Sequence, residues 1–290
     1  MDAKSRPKIN IHGHIRHKDD LPARVRVWEE WNVRHFVCLC MPSKPTCRAP
    51  GFIENNHFLP LKKEYGHLLI GFAGVNLHPD HLDGADDIRR YRDEGFQGLK
   101  AYGNALPYSH DAYFPIYEVA ERLGMPIFFH TGHFGGIDWE HLDLDRYHNA
   151  TTLNCLPIHL DRIAHQFPKL NLIAGHAGFQ WIRDVLFMTR YFQNVFAEWS
   201  GGSGRKPHIR QILSSLLPHP GLETNMEDPE ENLALLSLPQ FCFGTDNPEP
   251  DRWVPPSEMI LDRLHATEEI KKRFYYNNAA RMLGLPEIGS

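Results

Sequence analysis

Two histidines spaced by one glycine, in Ile9-Asn10-Ile11-His12-Gly13-His14, form the first pattern in this chain able to do chemistry. Successive side chains of a strand alternate faces, so both imidazoles point the same way and can share one divalent metal. A lone His-x-His also fits a strand end with two solvated histidines, so the rest of the chain decides. His130 ends the run Pro126–His130, His176 ends Leu170–His176, and Asp246 ends Phe241–Asp246. His78 trails another apolar run, Lys100 sits within Gly98–Tyr102, and Glu198 lies at the end of Val195–Trp199. Imidazoles with a carboxylate and no needed thiolate suit one Zn2+ or a similar ion, with Mn2+, Fe2+ and Ni2+ as alternatives. Such a metal lowers the pKa of a bound water towards about 7 and polarises a carbonyl. Asp246 is then placed to accept the water's proton, and His176 to exchange a proton with the reacting group.

These residues converge only if their strands do. The sequence predicts eight short apolar strands: Lys8–Ile15, His35–Met41, Leu69–Asn76, Gly98–Tyr102, Pro126–His130, Leu170–His176, Val195–Trp199 and Phe241–Asp246. Helical patterns alternate with them over Leu21–Asn32, Leu59–Tyr65, Pro79–Glu94, Phe114–Leu123, Leu156–Phe167, Phe179–Tyr191, Pro207–Leu217, Pro229–Leu236 and Asn277–Leu283. A bend is expected at Pro218–Gly221, and a loop long enough to reach over a site at Pro42–Phe58. Strands buried on both faces read as continuous hydrophobic runs, and strand–helix alternation argues for parallel pairing. The pattern matches an α/β fold, a (β/α)8 TIM barrel forming a single domain over residues 1–290. In such a barrel all strand C-termini open on one mouth, where the metal site is expected. An open doubly wound sheet would call for a glycine-rich phosphate loop after the first strand, and His12-Gly13-His14 is not one.

Composition narrows the function classes. The chain has 290 residues, 42% hydrophobic and 23% charged, which is ordinary for a globular protein. A net charge of −5 gives no electrostatic footprint for nucleic acid or anionic membrane. No apolar run is long enough to span a bilayer, and Met1–Arg6 lacks the apolar core of a secretory signal, so a cytoplasmic location is expected. The five cysteines, Cys38, Cys40, Cys47, Cys155 and Cys242, suggest no disulfide framework; Cys38 and Cys40 are expected as buried thiols. Most of the nineteen histidines, His17 and His57 among them, read as surface or packing residues. His133 either lines the pocket or solvates a loop; Glu198 is either an acceptor for a histidine N–H or a helix-start carboxylate. Tyr102 and Trp199 are candidates for an apolar wall.

The segments INIHGHI, GLKAY, PIFFHTGH, NLIAGHAG, FCFGTDNP and YYNNAARMLGL, taken together, resemble the amidohydrolase superfamily. More narrowly they resemble its amidohydrolase-related branch, which also holds the aminocarboxymuconate-semialdehyde decarboxylase-like enzymes. The resemblance implies that His12, His14, His130 and Asp246 bind the metal and that His176 is the catalytic histidine. It also implies a small-molecule substrate and a homodimer. Asn10 departs from the family, which usually has an aspartate there. Lys100 lies where binuclear members carry a carboxylated lysine bridging two metals, and His176 could then serve the second. Because this branch resembles mononuclear enzymes, Lys100 reads instead as an unmodified lysine for an anionic substrate group, or one that snorkels outward.

Two reactions fit the same ligands. The first is hydrolysis of an amide, ester or lactone, with Asp246 as general base. The second is non-oxidative decarboxylation of an unsaturated or aromatic carboxylic acid, with His176 controlling protonation at carbon. A non-catalytic scaffold is the third reading, and the intact set of His12, His14, His130, His176 and Asp246 argues against it. Lys44, Arg48, Trp139, Arg146 and Tyr147, in the predicted loops, would suit a small carboxylated or cyclic substrate.

Overall fold

The computed structural model describes residues 2–42, 51–133, 151–201, 206–216, 237–247 and 249–289, with 206–208 described by backbone alone. Seven parallel strands form one sheet in sequence order: β1 (Lys8–Gly13), β2 (Val33–Leu39), β3 (Leu69–Val75), β4 (Gly98–Ala101), β5 (Ile127–Phe129), β6 (Leu172–Ala174) and β7 (Val195–Ala197). Helices follow the strands: α1 (Leu21–Glu30), α2 (Asn55–Glu64), α3 (Ala85–Asp93), α4 (Phe114–Leu123), α5 (His159–Gln166), α6 (Ile182–Tyr191) and α7 (Lys206–Leu216). Three more α-helices, α8 (Pro250–Arg263), α9 (Glu268–Lys272) and α10 (Asn278–Leu283), follow residues 241–246. The fold is TIM-barrel-like, a curled parallel sheet with helices between its strands. No helix among the described residues is long and apolar enough to cross a membrane.

The two-residue period of the strands sorts the core. Ile9, Ile11, Val37, Leu39, Ile70, Phe72, Phe128, Ile173, Phe196 and Cys242 cluster on the concave face of the sheet. Their neighbours Phe36, Cys38, Leu69, Ala73, Leu99, Ile127, Phe129, Leu172 and Val195 pack with the helices in a second cluster. Both faces exclude water, which is why these strands read as unbroken apolar runs. Cys38, Cys40, Cys155 and Cys242 are buried free thiols, as expected.

A bulge in β1 aims the first two histidines. Asn10 pairs with Phe36 and Gly13 with Cys38, so three steps along β1 match two along β2. The extra residue lets Ile11 and His12 both face the concave side, where the His12 ring lies 4.5 Å from Phe128. Gly13 then faces the helices, and a Cβ there would sit 2.1 Å from the Phe36 ring.

The predicted eighth strand departs from regularity. Residues 241–246 lie between β7 and β1 but pair through isolated parallel bridges, Ala197 with Phe241 and Gly13 with Asp246. Cys242 N–H donates to Ala197 O at 2.8 Å, and Ile11 N–H donates to Phe243 O at 2.9 Å. The His12 carbonyl then accepts from both Thr245 N–H (3.0 Å) and Asp246 N–H (2.8 Å). Two donors on one carbonyl break the ladder's one-to-one spacing, and Asp246 leaves extended backbone altogether at φ 60°. The sixth strand is likewise shorter than expected. It stops at Ala174, and His176, Ala177, Gly178 and Phe179 follow at φ 58°, 44°, 70° and 50°. The helix and bend expected over 218–236 lie outside the described residues, as do Cys47, Lys44, Arg48, Trp139, Arg146 and Tyr147.

Candidate metal centre

Four imidazoles meet where β1, β5 and β6 end, and each is tethered by one ring nitrogen. His12 Nδ1 lies 2.7 Å from Glu198 Oε1, and His14 Nδ1 lies 3.0 Å from the Leu39 carbonyl. His176 Nδ1 lies 2.6 Å from the Ser200 carbonyl, and His130 Nε2 lies 3.2 Å from the His133 carbonyl. Carbonyls and an ionised carboxylate accept only, so each tethered nitrogen carries the ring proton. The other nitrogen of every ring is left with a lone pair: Nε2 of His12, His14 and His176, and Nδ1 of His130.

Those lone pairs converge. His12 Nε2 and His14 Nε2 lie 3.4 and 3.5 Å from the same oxygen of Asp246, Oδ1. The donor atoms of His12, His14 and Asp246 all lie within 4.8 Å of one another, as do those of His12, His176 and Glu198. His130 enters neither triad among the described residues; it reaches the group through His176, with Nδ1 3.1 Å from His176 Nε2. Burial holds all four rings neutral. His12, His14 and His176 fall well below the ordinary histidine value, and His130 is pushed down to about 3, with the Lys100 ammonium as the next cause. Burial, then the Glu198 carboxylate, raises Asp246 to about 7. Neutral imidazole lone pairs facing one another and a carboxylate repel unless a cation or a proton stands between them. This donor set fits a borderline divalent metal.

Glu198 is the acceptor that sequence reasoning allowed for. Fully buried, it takes the His12 N–H, the His176 backbone N–H at 2.7 Å and the Ser200 backbone N–H at 2.6 Å. Such outer partners fix the tautomer and orientation of a ligating histidine. Asn10 also contributes without a charge: its amide donates to Thr245 Oγ1 at 2.8 Å, and its side-chain oxygen accepts the His12 backbone N–H at 3.2 Å. Lys100 is buried rather than snorkelled outward, with Nζ 4.3 Å from the centre of the Phe128 ring. Tyr102 stands edge-on to His130 at 5.2 Å, whereas Trp199 stacks on Phe274 in the helix-side core and forms no wall with it. The His133 side chain is exposed, and its carbonyl is what serves the site.

Two contacts had no signal in sequence spacing. Phe52 stacks on His14 with ring centres 4.6 Å apart, and the Arg16 guanidinium lies over the Phe52 ring, 5.1 Å from its centre. Arg24, on α1, donates to the His14 carbonyl at 2.9 Å. Gly201 permits the turn beside His176. At φ 143°, its Cβ would lie 2.7 Å from His176 Nδ1. Gly201→Ala is therefore expected to displace the His176 ring and lower stability by about 1–3 kcal/mol. A thermal melt unchanged from wild type, with full activity, would show that the turn absorbs the methyl group.

Residues 46–285 match the family model described as amidohydrolase. No curated protein matches the sequence significantly. Solved structures share the fold at low identity. One is 2,6-dihydroxybenzoate decarboxylase from Rhizobium, with TM-score 0.61 and 14% identity over 96% of this chain and 99% of that one. Another is a probable 2-pyrone-4,6-dicarboxylic acid hydrolase from Acinetobacter baumannii, with TM-score 0.61 and 13% identity over 96% and 99%. A third is a dihydroxybenzoic acid decarboxylase from a Polaromonas species with bound manganese and 2-nitroresorcinol, with TM-score 0.61 and 15% identity over 96% and 97%.

Proposed function

The chain belongs to the amidohydrolase family, and from that premise we propose that it is a metal-dependent hydrolase of an amide, ester or lactone bond in a small molecule. One observation carries the reading: each of the four imidazoles is tethered by one ring nitrogen, and those of His12 and His14 offer the other beside Asp246. In this reading residues 241–246 act as the eighth stave of a closed barrel, the site sits in its C-terminal mouth, and 1–290 is one domain. His12, His14, His130 and Asp246 would hold a single ion. Zn2+ and Mn2+ both fit the donors, and manganese is the metal of the Polaromonas decarboxylase. When bound, the ion would supply Lewis acidity to a carbonyl and acidify water.

The protein's own groups do the rest. Asp246, beside the free nitrogens of His12 and His14, would take a proton from the attacking water. The proton taken by Asp246 would go on to the leaving group, and His176, turned by its Ser200 tether so that Nε2 offers a lone pair to the site, would exchange a proton with the reacting group only after accepting one there. Lys100, unmodified, would hold an anionic group of the substrate against the Phe128 face. The second reading is decarboxylation, favoured by the His176–His130 contact, where the two facing nitrogens would share a proton taken from solvent and deliver it to carbon.

Metal-loaded protein incubated with lactones, amides, esters and aromatic carboxylic acids separates the two. Hydrolysis places one oxygen of labelled water in the product and consumes no carbon–carbon bond. Release of CO2 with deuterium from D2O at the vacated carbon would replace the first reading with the second. Stripping the metal with a chelator is expected to abolish either activity, and Zn2+ or Mn2+ to restore it; activity that survives complete stripping defeats both.

A further inference from the structure

Outside the central site, His17, Glu54 and His57 bring three donor atoms within 4.8 Å of one another. His17 Nε2 lies 3.2 Å, and His57 Nδ1 2.8 Å, from the same oxygen, Oε2 of Glu54. The two rings stand edge to face with centres 4.7 Å apart. The backbone brings them there independently of that contact. His17 N–H donates to Gly51 O at 2.9 Å and Ile53 N–H donates to Ile15 O at 3.0 Å, so a strap at 51–54 lies along the extension of β1. Its other side joins the end of β2, where Met41 N–H donates to Ile53 O at 3.0 Å. Glu54 and His57 then share one face of the first turn of α2 by their three-residue spacing.

Glu54 stands at the N-cap position but makes no side-chain capping bond; its carboxylate turns to the two imidazoles instead. The side chains are 45%, 32% and 52% exposed for His17, Glu54 and His57, which leaves room for water to complete a coordination shell. Two imidazoles and a carboxylate select borderline first-row ions over Mg2+ and Ca2+, which prefer oxygen alone.

We propose that His17, Glu54 and His57 form a second, peripheral site for a divalent transition metal such as Zn2+, which clamps the 51–54 strap to the loop after β1. The strap carries Phe52, the residue stacked on His14, so an ion here holds the covering ring of the central site in place.

Counting zinc tests this. Chelator-stripped full-length protein is titrated with Zn2+ in equilibrium dialysis, and bound metal is measured by elemental analysis. Wild type is expected to bind one ion more per chain than His57→Ala or Glu54→Gln. Any residual binding at the peripheral site in those variants should be at least about tenfold weaker. Asp246→Asn should lose the other ion and keep this one. Loss of an ion in His57→Ala but not in Asp246→Asn would uphold the peripheral site while defeating the central one. Equal zinc binding by wild type, His57→Ala and His17→Ala would overturn the proposal. His17 and His57 are exposed and Glu54 partly so, so matching thermal melts of the stripped wild type, His17→Ala, His57→Ala and Glu54→Gln are expected to confirm intact folding.

Discussion

Asp246→Asn is expected to lower turnover by about 10^3-fold or more, because in the proposed mechanism one substitution weakens a metal ligand by its charge and removes the general base together. The same variant should gain stability in the metal-free protein at alkaline pH. Asp246 is raised from 3.8 to about 7 in the folded chain, chiefly by burial. A carboxyl with a raised folded pKa binds more protons folded than unfolded between those two values. Its contribution therefore falls as pH rises from about 4, and the full penalty is reached above about 7. Asparagine carries no charge at any pH and escapes that loss, which amounts to a few kcal/mol, on the order of the linkage for such a shift. The buried histidines work in the opposite sense. His130, lowered from 6.5 to about 3, withdraws stability as pH falls through that range. Thermal melts of stripped wild type and variant from pH 5 to 9 check the sign. Parallel curves would show that Asp246 is not the buried carboxyl described above.

Glu198→Ala is expected to have the second large effect, and on different observables. It orphans three buried donors, the His12 ring N–H and the backbone N–H groups of His176 and Ser200. Leaving them unpaired costs about 3 kcal/mol or more, a fall of roughly 5 °C or more in Tm for a chain of this size. The freed His12 ring can also change tautomer, so metal affinity should drop about 10–100-fold. Glu198→Gln keeps one acceptor oxygen and should recover part of the affinity while remaining a weaker partner for Ser200. If Glu198→Ala lowered the melting temperature but left zinc affinity intact, the carboxylate would serve the fold alone.

Much of this was legible in the sequence because strand termini are marked by chemistry. An apolar run that ends in histidine or aspartate is conspicuous, and parallel topology gathers such ends. The position of His12 required more than alternation, since the β1 bulge determines which neighbours share its face. The eighth segment was readable as apolar but not as irregular. Its departure from strand geometry comes from two amides competing for the His12 carbonyl, a contact between Asn10's strand and Thr245's segment that no local pattern encodes. Phe52 and Arg24 were invisible for the same reason: each touches His14 from an element whose own periodicity explains it fully as loop or helix. His17 and His57, read as surface or packing residues, are exposed, and their partnership through Glu54 appears only when the 51–54 strap is laid beside the β1 extension.

The shared His12 carbonyl has a bearing on how the protein comes into being. Asn10 and Thr245, the flanking pair joined side chain to side chain, are 235 residues apart. During translation the first two histidines leave the ribosome long before the segment that completes their surroundings. Until residues 241–246 arrive, the outer edges of β1 and β7 lack the partners they have in the finished chain, and open strand edges invite pairing with other chains. A nascent chain ending near β7 would hold Glu198 and all four imidazoles yet lack Asp246. The 241–246 segment thus brings the missing partner of both edges and, in the proposed site, Asp246 in one event. Truncated products should be both edge-exposed and poor at retaining metal, and so ready targets for chaperones and proteases.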